Sequence, residues 1–184
     1  MNKKILKRMV FFFFLFALTG CIGLETMEVR EAKYGKSVPV IQKSFASKGI
    51  SPGETWKIYL IASDPDGEMK NIVCTIDQPG VGAYPASFTK IKEDNRKELS
   101  GYIYLNTQSL DDVTFVNLTL TVQIQDEAGH FSSPAIFPLS FNSRFRQEPL
   151  PPGVFQEKDL GPILIRLRTI REREGPSIFE RERR

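Results

Sequence analysis

The sequence feature that most constrains the fold is an alternation of apolar and polar side chains between residues 115 and 125. Apolar side chains occupy every second position, and Asn, Thr and Gln occupy the positions between them. Successive side chains of a β-strand point to opposite faces, so this period of two predicts a long strand with one buried face. The other face is then in contact with water. The apolar set is Val116, Leu118, Leu120, Val122 and Ile124.

Shorter segments of the same kind recur along the chain, and Gly, Pro and Asp-rich turns separate them. We predict about seven strands in this part of the chain and no helix. Strands at this spacing are typical of a Greek-key β-sandwich, so we predict an all-β fold with one sandwich at residues 37–145. The predicted strands are residues 38–45, 55–63, 71–77, 86–91, 99–105, 115–125 and 135–141.

Two turn motifs point to a class of domains. Asp64-Pro65-Asp66-Gly67 follows the second strand, and LTVQIQDEAGHFS at residues 120–132 spans the last hairpin. In these motifs residues 38–142 resemble the immunoglobulin-like, cadherin-like and PKD-like modules of bacterial surface proteins. The resemblance implies an immunoglobulin-like β-sandwich. The chain departs from antibody domains because Trp56 lies on the second strand and no cysteine pair can join the sheets.

The first 21 residues have the composition of an export signal. Four cations precede an apolar run at residues 10–18, which predicts a signal helix and is shorter than the roughly 20 residues that span a bilayer. The run ends in Leu18-Thr19-Gly20-Cys21, which resembles the lipobox of bacterial lipoproteins. The resemblance implies that the signal peptidase recognises Leu18, Thr19 and Gly20, that residues 1–20 are removed, and that Cys21 is acylated with fatty acids such as palmitate. The alternatives are an uncleaved membrane helix and an ordinary signal with a chance cysteine.

The resemblance to lipoproteins also implies an address, the bacterial cell envelope. Ile22 would be the second residue of the mature chain, and the absence of Asp there favours the outer membrane. Which face of the membrane carries the protein stays open. Residues 21–36 are predicted to be a tether, and residues 146–184 a Pro-interrupted, Arg/Glu-rich tail that is largely disordered. Within that tail, residues 161–167 could form an added edge strand or a partner-binding segment.

Net charge and cysteine content bear on nucleic-acid binding and on disulfide formation. The formal net charge is +3, but the signal carries four of the cations, which leaves the rest near −1. The basic pI is therefore no argument for nucleic-acid binding. If Cys21 is acylated, Cys74 has no partner, and we predict a core position for it and a fold held by packing alone.

The acidic residues of the two turn motifs are a candidate Ca²⁺ site. In a sandwich these turns emerge at the same end, and Ca²⁺ takes six to eight oxygen ligands of the carboxylate and carbonyl type. The alternative is that Asp begins each turn because its side chain accepts hydrogen bonds from nearby backbone N–H groups. The candidate ligands are Asp64, Asp66, Glu68, Asp126 and Glu127.

Two other candidate sites have weaker support. His130 is the only histidine, and a hydrolase could pair it with Ser132 or Ser133, but neighbours on a strand point to opposite faces. Tyrosines on the strands could form a stacking platform for a glycan, although strand tyrosines are more often packed. These tyrosines are Tyr59, Tyr84, Tyr102 and Tyr104.

The sequence thus favours a lipid-anchored protein of the cell envelope that is not an enzyme and acts as a structural or protein-interaction module. The alternative is a Ca²⁺-dependent or glycan-binding adhesion module. The expected partners are membrane lipid, through acylated Cys21, and another envelope protein. We expect no nucleic acid, no small-molecule substrate and no cofactor unless Ca²⁺ binds.

Overall fold

The alternating segments form the strands of two sheets that pack face to face. A computed structural model of the chain describes residues 25–107 and 116–168. The predicted signal, Cys21 and the tail after residue 168 lie outside the described residues. The elements are α1 (Met27–Tyr34), β1 (Val40–Ala46), β2 (Gly49–Ile50), β3 (Thr55–Ser63), β4 (Met69–Gln78), β5 (Gly82–Ala83), β6 (Ser87–Lys90), a 3-10 turn (Glu93–Asn95), β7 (Glu98–Asn106), β8 (Asn117–Asp126), β9 (Ala135–Phe141) and β10 (Asp159–Pro162).

Sheet A contains four strands in the order β1-β3-β7-β10, and sheet B contains β2-β9-β8-β4 with β5 and β6 both paired to β4. The chain changes sheet after β1, β2, β3, β6, β7 and β9. These crossings between sheets are those of an immunoglobulin-like sandwich, and the predicted fold class is confirmed. Among the described residues, no helix has the length and apolar character needed to cross a bilayer.

The core lies between the two sheets and is filled by the predicted inward positions. Trp56, Ile58 and Leu60 of β3 are fully buried, and so are Leu120, Val122 and Ile124 of β8. Burial of each such aliphatic side chain stabilises the fold by about 1.5–3 kcal/mol. The Nε1–H of Trp56 donates a hydrogen bond of 2.8 Å to the carbonyl of Ser47, so its one polar group is satisfied inside the core.

Cys74 is a buried free thiol of the core, as predicted. Burial raises the pKa of the thiol to about 12. The side chain is fully shielded from solvent and stays in its thiol form near neutral pH. Among the described residues, packing and hydrogen bonds hold the sheets together without a covalent link.

The domain extends beyond the predicted boundary at residue 145. Residues 146–168, here called the C-terminal segment, pack on the sandwich, and β10 adds to β7 as a parallel strand. Ile163 and Leu167 are only 4% and 7% exposed and complete the core. A Cβ at Gly101 would overlap the carbonyl of Lys158, so glycine permits this close approach. The segment contains β10, which was one of the two alternatives for residues 161–167, and the sandwich extends at least to Arg168.

Candidate functional site

The two acidic turns meet at one end of the sandwich, here called the loop end, which comprises residues 64–68, 92–97 and 126–130. The backbone N–H of Glu127 donates to the carbonyl of Glu68 at 3.0 Å. Arg96 lies between the two glutamates, with its Nη1 at 3.6 Å from a Glu68 carboxylate oxygen and 3.4 Å from one of Glu127. Lys70 pairs with the other oxygen of Glu127 at 2.9 Å. The two turns therefore meet as expected, and the side chains of Arg96 and Lys70 already bind both glutamates.

The aspartates of the loop end accept hydrogen bonds from the chain itself. Asp64 is 1% exposed, and its two carboxylate oxygens accept the backbone N–H groups of Asp66 at 3.1 Å and Glu68 at 3.2 Å. Burial raises the pKa of Asp64, and these two hydrogen bonds oppose that rise. Asp66 accepts the N–H of Ser37 at 2.8 Å. These contacts are those of the turn-forming alternative, in which Asp holds nearby backbone donors.

Asp126 holds the last hairpin together. One of its carboxylate oxygens accepts the N–H groups of Gly129 at 2.6 Å and His130 at 2.7 Å. The five candidate Ca²⁺ ligands are thus near one another but bound to protein donors. Among the described residues, no three His, Cys, Asp or Glu side chains form a group that could hold a metal. Ca²⁺ binding at this end stays a hypothesis, beside the turn-forming alternative.

His130 lies between two carboxylates and links the hairpin to α1. Its Nδ1 is 2.8 Å from the second oxygen of Asp126, and its Nε2 is 3.2 Å from a carboxylate oxygen of Glu31. The hydrogen bond with Asp126 is the main cause that raises the pKa of His130, and Glu31 adds to it, while burial lowers it. A protonated His130 donates to both carboxylates. A neutral imidazole can donate to only one of them.

The contact with α1 was missed by the sequence analysis, which treated residues 21–36 only as a tether. Glu31 and His130 are 99 positions apart, and no local pattern announces such a pair. The hydrolase hypothesis gains nothing from this geometry. The Ser132 hydroxyl accepts the N–H of Ile124 and donates to the carbonyl of Ser133, so it closes the hairpin.

The tyrosines form a row of three, and the fourth lies elsewhere. Tyr59 and Tyr102 have ring centroids 5.5 Å apart on the outer face of sheet A, and Tyr104 continues the row at 6.3 Å. Tyr84 is buried at the opposite end of the sandwich, where it donates to Gln78 at 2.6 Å. The predicted platform of four tyrosines is therefore wrong in its membership, because Tyr84 follows β5, bonds to β4 of the other sheet and is buried.

The C-terminal segment covers part of this aromatic row. Phe155 packs on Tyr59 with centroids 5.8 Å apart, and Glu157 accepts the Tyr59 hydroxyl at 2.7 Å. Burial, together with the Glu157 hydrogen bond, raises the pKa of Tyr59 to about 12. Lys57 pairs with Glu157 at 2.9 Å and lies 4.3 Å from the Tyr102 ring centroid. The chain's own side chains thus occupy much of the surface that a glycan would need.

The outer face of sheet B differs from that of sheet A because it is open in the part of the chain that the structure describes. Phe88 is 56% exposed and lies beside Val73, and Ile136 is 63% exposed and lies beside Thr121. Asp77 and Lys90 lie at the two margins of this face. The described strand positions between these margins carry no charge. They are Asn71, Val73, Thr75, Phe88, Thr119, Thr121, Gln123, Gln125, Ile136 and Pro138.

Comparisons with known proteins show similarity to solved structures but to no family model or curated sequence. Among solved structures, the chain is similar to the PKD domain of an M14-like peptidase from a Thermoplasmatales archaeon, with 13% identity and a TM-score of 0.36. That match covers 58% of this chain and 97% of the archaeal domain. The assignment to the immunoglobulin-like class rests on the two sheets themselves.

Proposed function

We propose that the protein is a lipid-anchored component of a bacterial cell envelope and acts without catalysis, as a structural or protein-interaction module. The observation that carries the interaction role is the open outer face of sheet B. Uncharged surfaces with exposed aromatic and aliphatic side chains are typical of the cores of protein interfaces. Phe88 and Ile136 are the most exposed large apolar side chains on the strands of this face.

The chemistry of the loop end also supports a module of this kind. Its titratable side chains bind each other and the backbone, with Asp126, His130 and Glu31 forming one hydrogen-bonded series. These groups stabilise turns and fix α1. In this proposal, recognition takes place on a sheet face, where a partner buries Phe88 and Ile136.

The interaction role can be tested by site-specific photo-crosslinking in intact cells. A crosslinking amino acid is placed at Phe88, at Ile136 and, as a matched exposed control, at Lys43 on β1 of the other sheet. We expect one envelope protein to be captured from the first two positions and not from the third. With the crosslinking amino acid moved to Thr121, beside Ile136 on the same face, the double variant Phe88→Ser and Ile136→Ser should lose the capture and keep its fold, because both side chains are exposed. Equal capture from Lys43 would contradict the assignment of the surface.

The lipid anchor is tested separately by mass spectrometry of the protein from a bacterial host. The proposal expects cleavage before Cys21 and a diacylglycerol plus an acyl group on that residue. Cys21→Ser should abolish both the mass increase and membrane association. A wild-type chain that carries no lipid would refute the anchor and leave the interaction surface to be judged by the crosslinking result.

A further inference from the structure

The chain enters the sandwich at the loop end. Strand β1 begins with Val40 paired to Ser63, which directly precedes the first acidic turn. Just upstream, the N–H of Ser37 donates to Asp66, and Glu31 of α1 contacts His130. A Cβ at Gly129 would lie 2.9 Å from an Arg30 guanidinium nitrogen, so α1 also packs against the hairpin backbone. The segment that precedes the domain is therefore attached to the loop end at several points.

The described chain leaves the sandwich at the opposite end, here called the far end. Strand β4 starts at the loop end with Met69 and reaches the far end with Gln78. There the side-chain amide of Gln78 donates to the carbonyl of Arg168 at 3.2 Å, and the N–H of Arg168 donates to Tyr84 at 2.8 Å. Strand β10 is parallel to β7, which also runs from the loop end to the far end. The last described residue is therefore held by side chains at the far end.

The distances between these points and a lipid anchor can be bounded. A strand of ten residues such as β4 is about 33 Å long. Met27, at the start of α1, lies six positions after Cys21, and an extended chain of that length spans at most about 22 Å. An acylated Cys21 therefore keeps α1, and the loop end bound to it, close to the lipid surface.

We propose that the loop end faces the membrane and that the domain acts as a spacer, which carries the chain after Arg168 away from the lipid by the length of the sandwich. This inference rests on the lipid anchor proposed above. In this orientation the lipid surface lies against α1 and the loop end. It places the open face of sheet B along the side of the domain, where a neighbouring envelope protein can reach it.

Energy transfer to labelled lipids tests this orientation. The full lipidated chain is reconstituted in vesicles of phosphatidylethanolamine and phosphatidylglycerol that contain an acceptor dye on the headgroup. A donor dye is attached to Lys97→Cys at the loop end or to Ser143→Cys beyond β9 at the far end, both exposed positions. Cys74 does not compete for the dye because it is buried and its pKa is about 12.

We expect several-fold stronger transfer from position 97 than from position 143. A matched variant with Glu31→Ala and Asp66→Ala removes two of the contacts that fix the tether and should narrow this difference. Equal transfer from both positions, or stronger transfer from position 143, would overturn the proposed orientation while leaving the anchor intact. A chain that fails to acquire lipid at Cys21 would overturn both proposals, and mass spectrometry of the same sample distinguishes this case.

Discussion

Asp126 offers the sharpest test of how the loop end is held together. Its side chain is 3% exposed and accepts three hydrogen bonds, from the N–H groups of Gly129 and His130 and from the His130 ring. Asp126→Ala leaves all three donors without this acceptor. Asp126→Asn keeps an amide oxygen for the two backbone donors and removes the negative charge beside the imidazole.

The expected losses of stability follow from these contacts. A hydrogen bond to a charged group contributes about 1.5–3 kcal/mol, and water can replace part of it at a turn near the surface. We expect Asp126→Ala to lower the free energy of unfolding by about 3 kcal/mol and Asp126→Asn by about 1 kcal/mol. The ratio of the two losses in free energy of unfolding separates the contribution of the backbone hydrogen bonds from that of the charge.

The charge contribution must depend on pH with a defined sign. The pKa of His130 is raised in the folded protein, so its contribution is fully present below the unfolded pKa, near 6.5, and is lost as pH rises through the folded pKa. Asp126→Asn removes the main cause of this raised pKa. The gap in stability between the wild type and Asp126→Asn should therefore be larger at pH 6 than at pH 9.

Urea unfolding measures this gap at each pH, because the single Trp56 is buried and reports the transition by fluorescence. His130→Gln serves as the control, because it removes the titrating group at this position. The stability of this variant should therefore change less between pH 6 and pH 9 than that of the wild type. A gap that stays constant between pH 6 and pH 9 would refute the role of the Asp126–His130 pair. So would a loss for Asp126→Asn as large as that for Asp126→Ala.

Further predictions concern the core, the C-terminal segment and the turns. Trp56→Phe leaves the carbonyl of Ser47 without its donor and should cost about 1–3 kcal/mol in urea unfolding; an unchanged midpoint would contradict this. Ile163→Ala and Leu167→Ala should each cost about 2 kcal/mol, because both side chains complete the core; values near zero would mean that residues 163–167 do not belong to the domain. Cys74 should not react with a thiol reagent at pH 8 until the chain is unfolded, and fast labelling of the native protein would contradict its burial. Millimolar Ca²⁺ should leave the melting temperature unchanged, because protein donors already bind the carboxylates of the acidic turns; a rise of several degrees would instead support the Ca²⁺ hypothesis.

The sequence predicts the strands that have one buried face. The period of two residues gives β3 and β9 with the observed bounds, and β4, β7 and β8 within a few residues. Apolar and polar side chains alternate along these strands because one face packs on the core and the other contacts water or a covering segment. The short strands β2 and β5 were predicted to be turn or loop, since two residues carry no period.

The C-terminal segment was harder to predict because its contacts depend on the completed fold. Pro149, Pro151 and Pro152 indicate an extended linker, but the chain turns at residues 152–154 and Phe155 then packs on Tyr59. Only Ile163 and Leu167 enter the core, which is too few positions for a pattern. The pairing of Glu31 with His130 is hidden for the same reason, because only the folded sandwich brings them together.

The path of the C-terminal segment makes the two outer faces of the sandwich unequal. After the far end it returns over sheet A, where Phe155 packs on Tyr59 and Lys158 reaches Asn95 at the loop end. It then reverses and runs along β7 as β10 to the far end. This route covers part of the aromatic row of sheet A and leaves the outer face of sheet B open. A segment that only lengthened the domain would not need to cross sheet A to the loop end first. The route therefore favours the uncovered outer face of sheet B as the surface that is open to a partner.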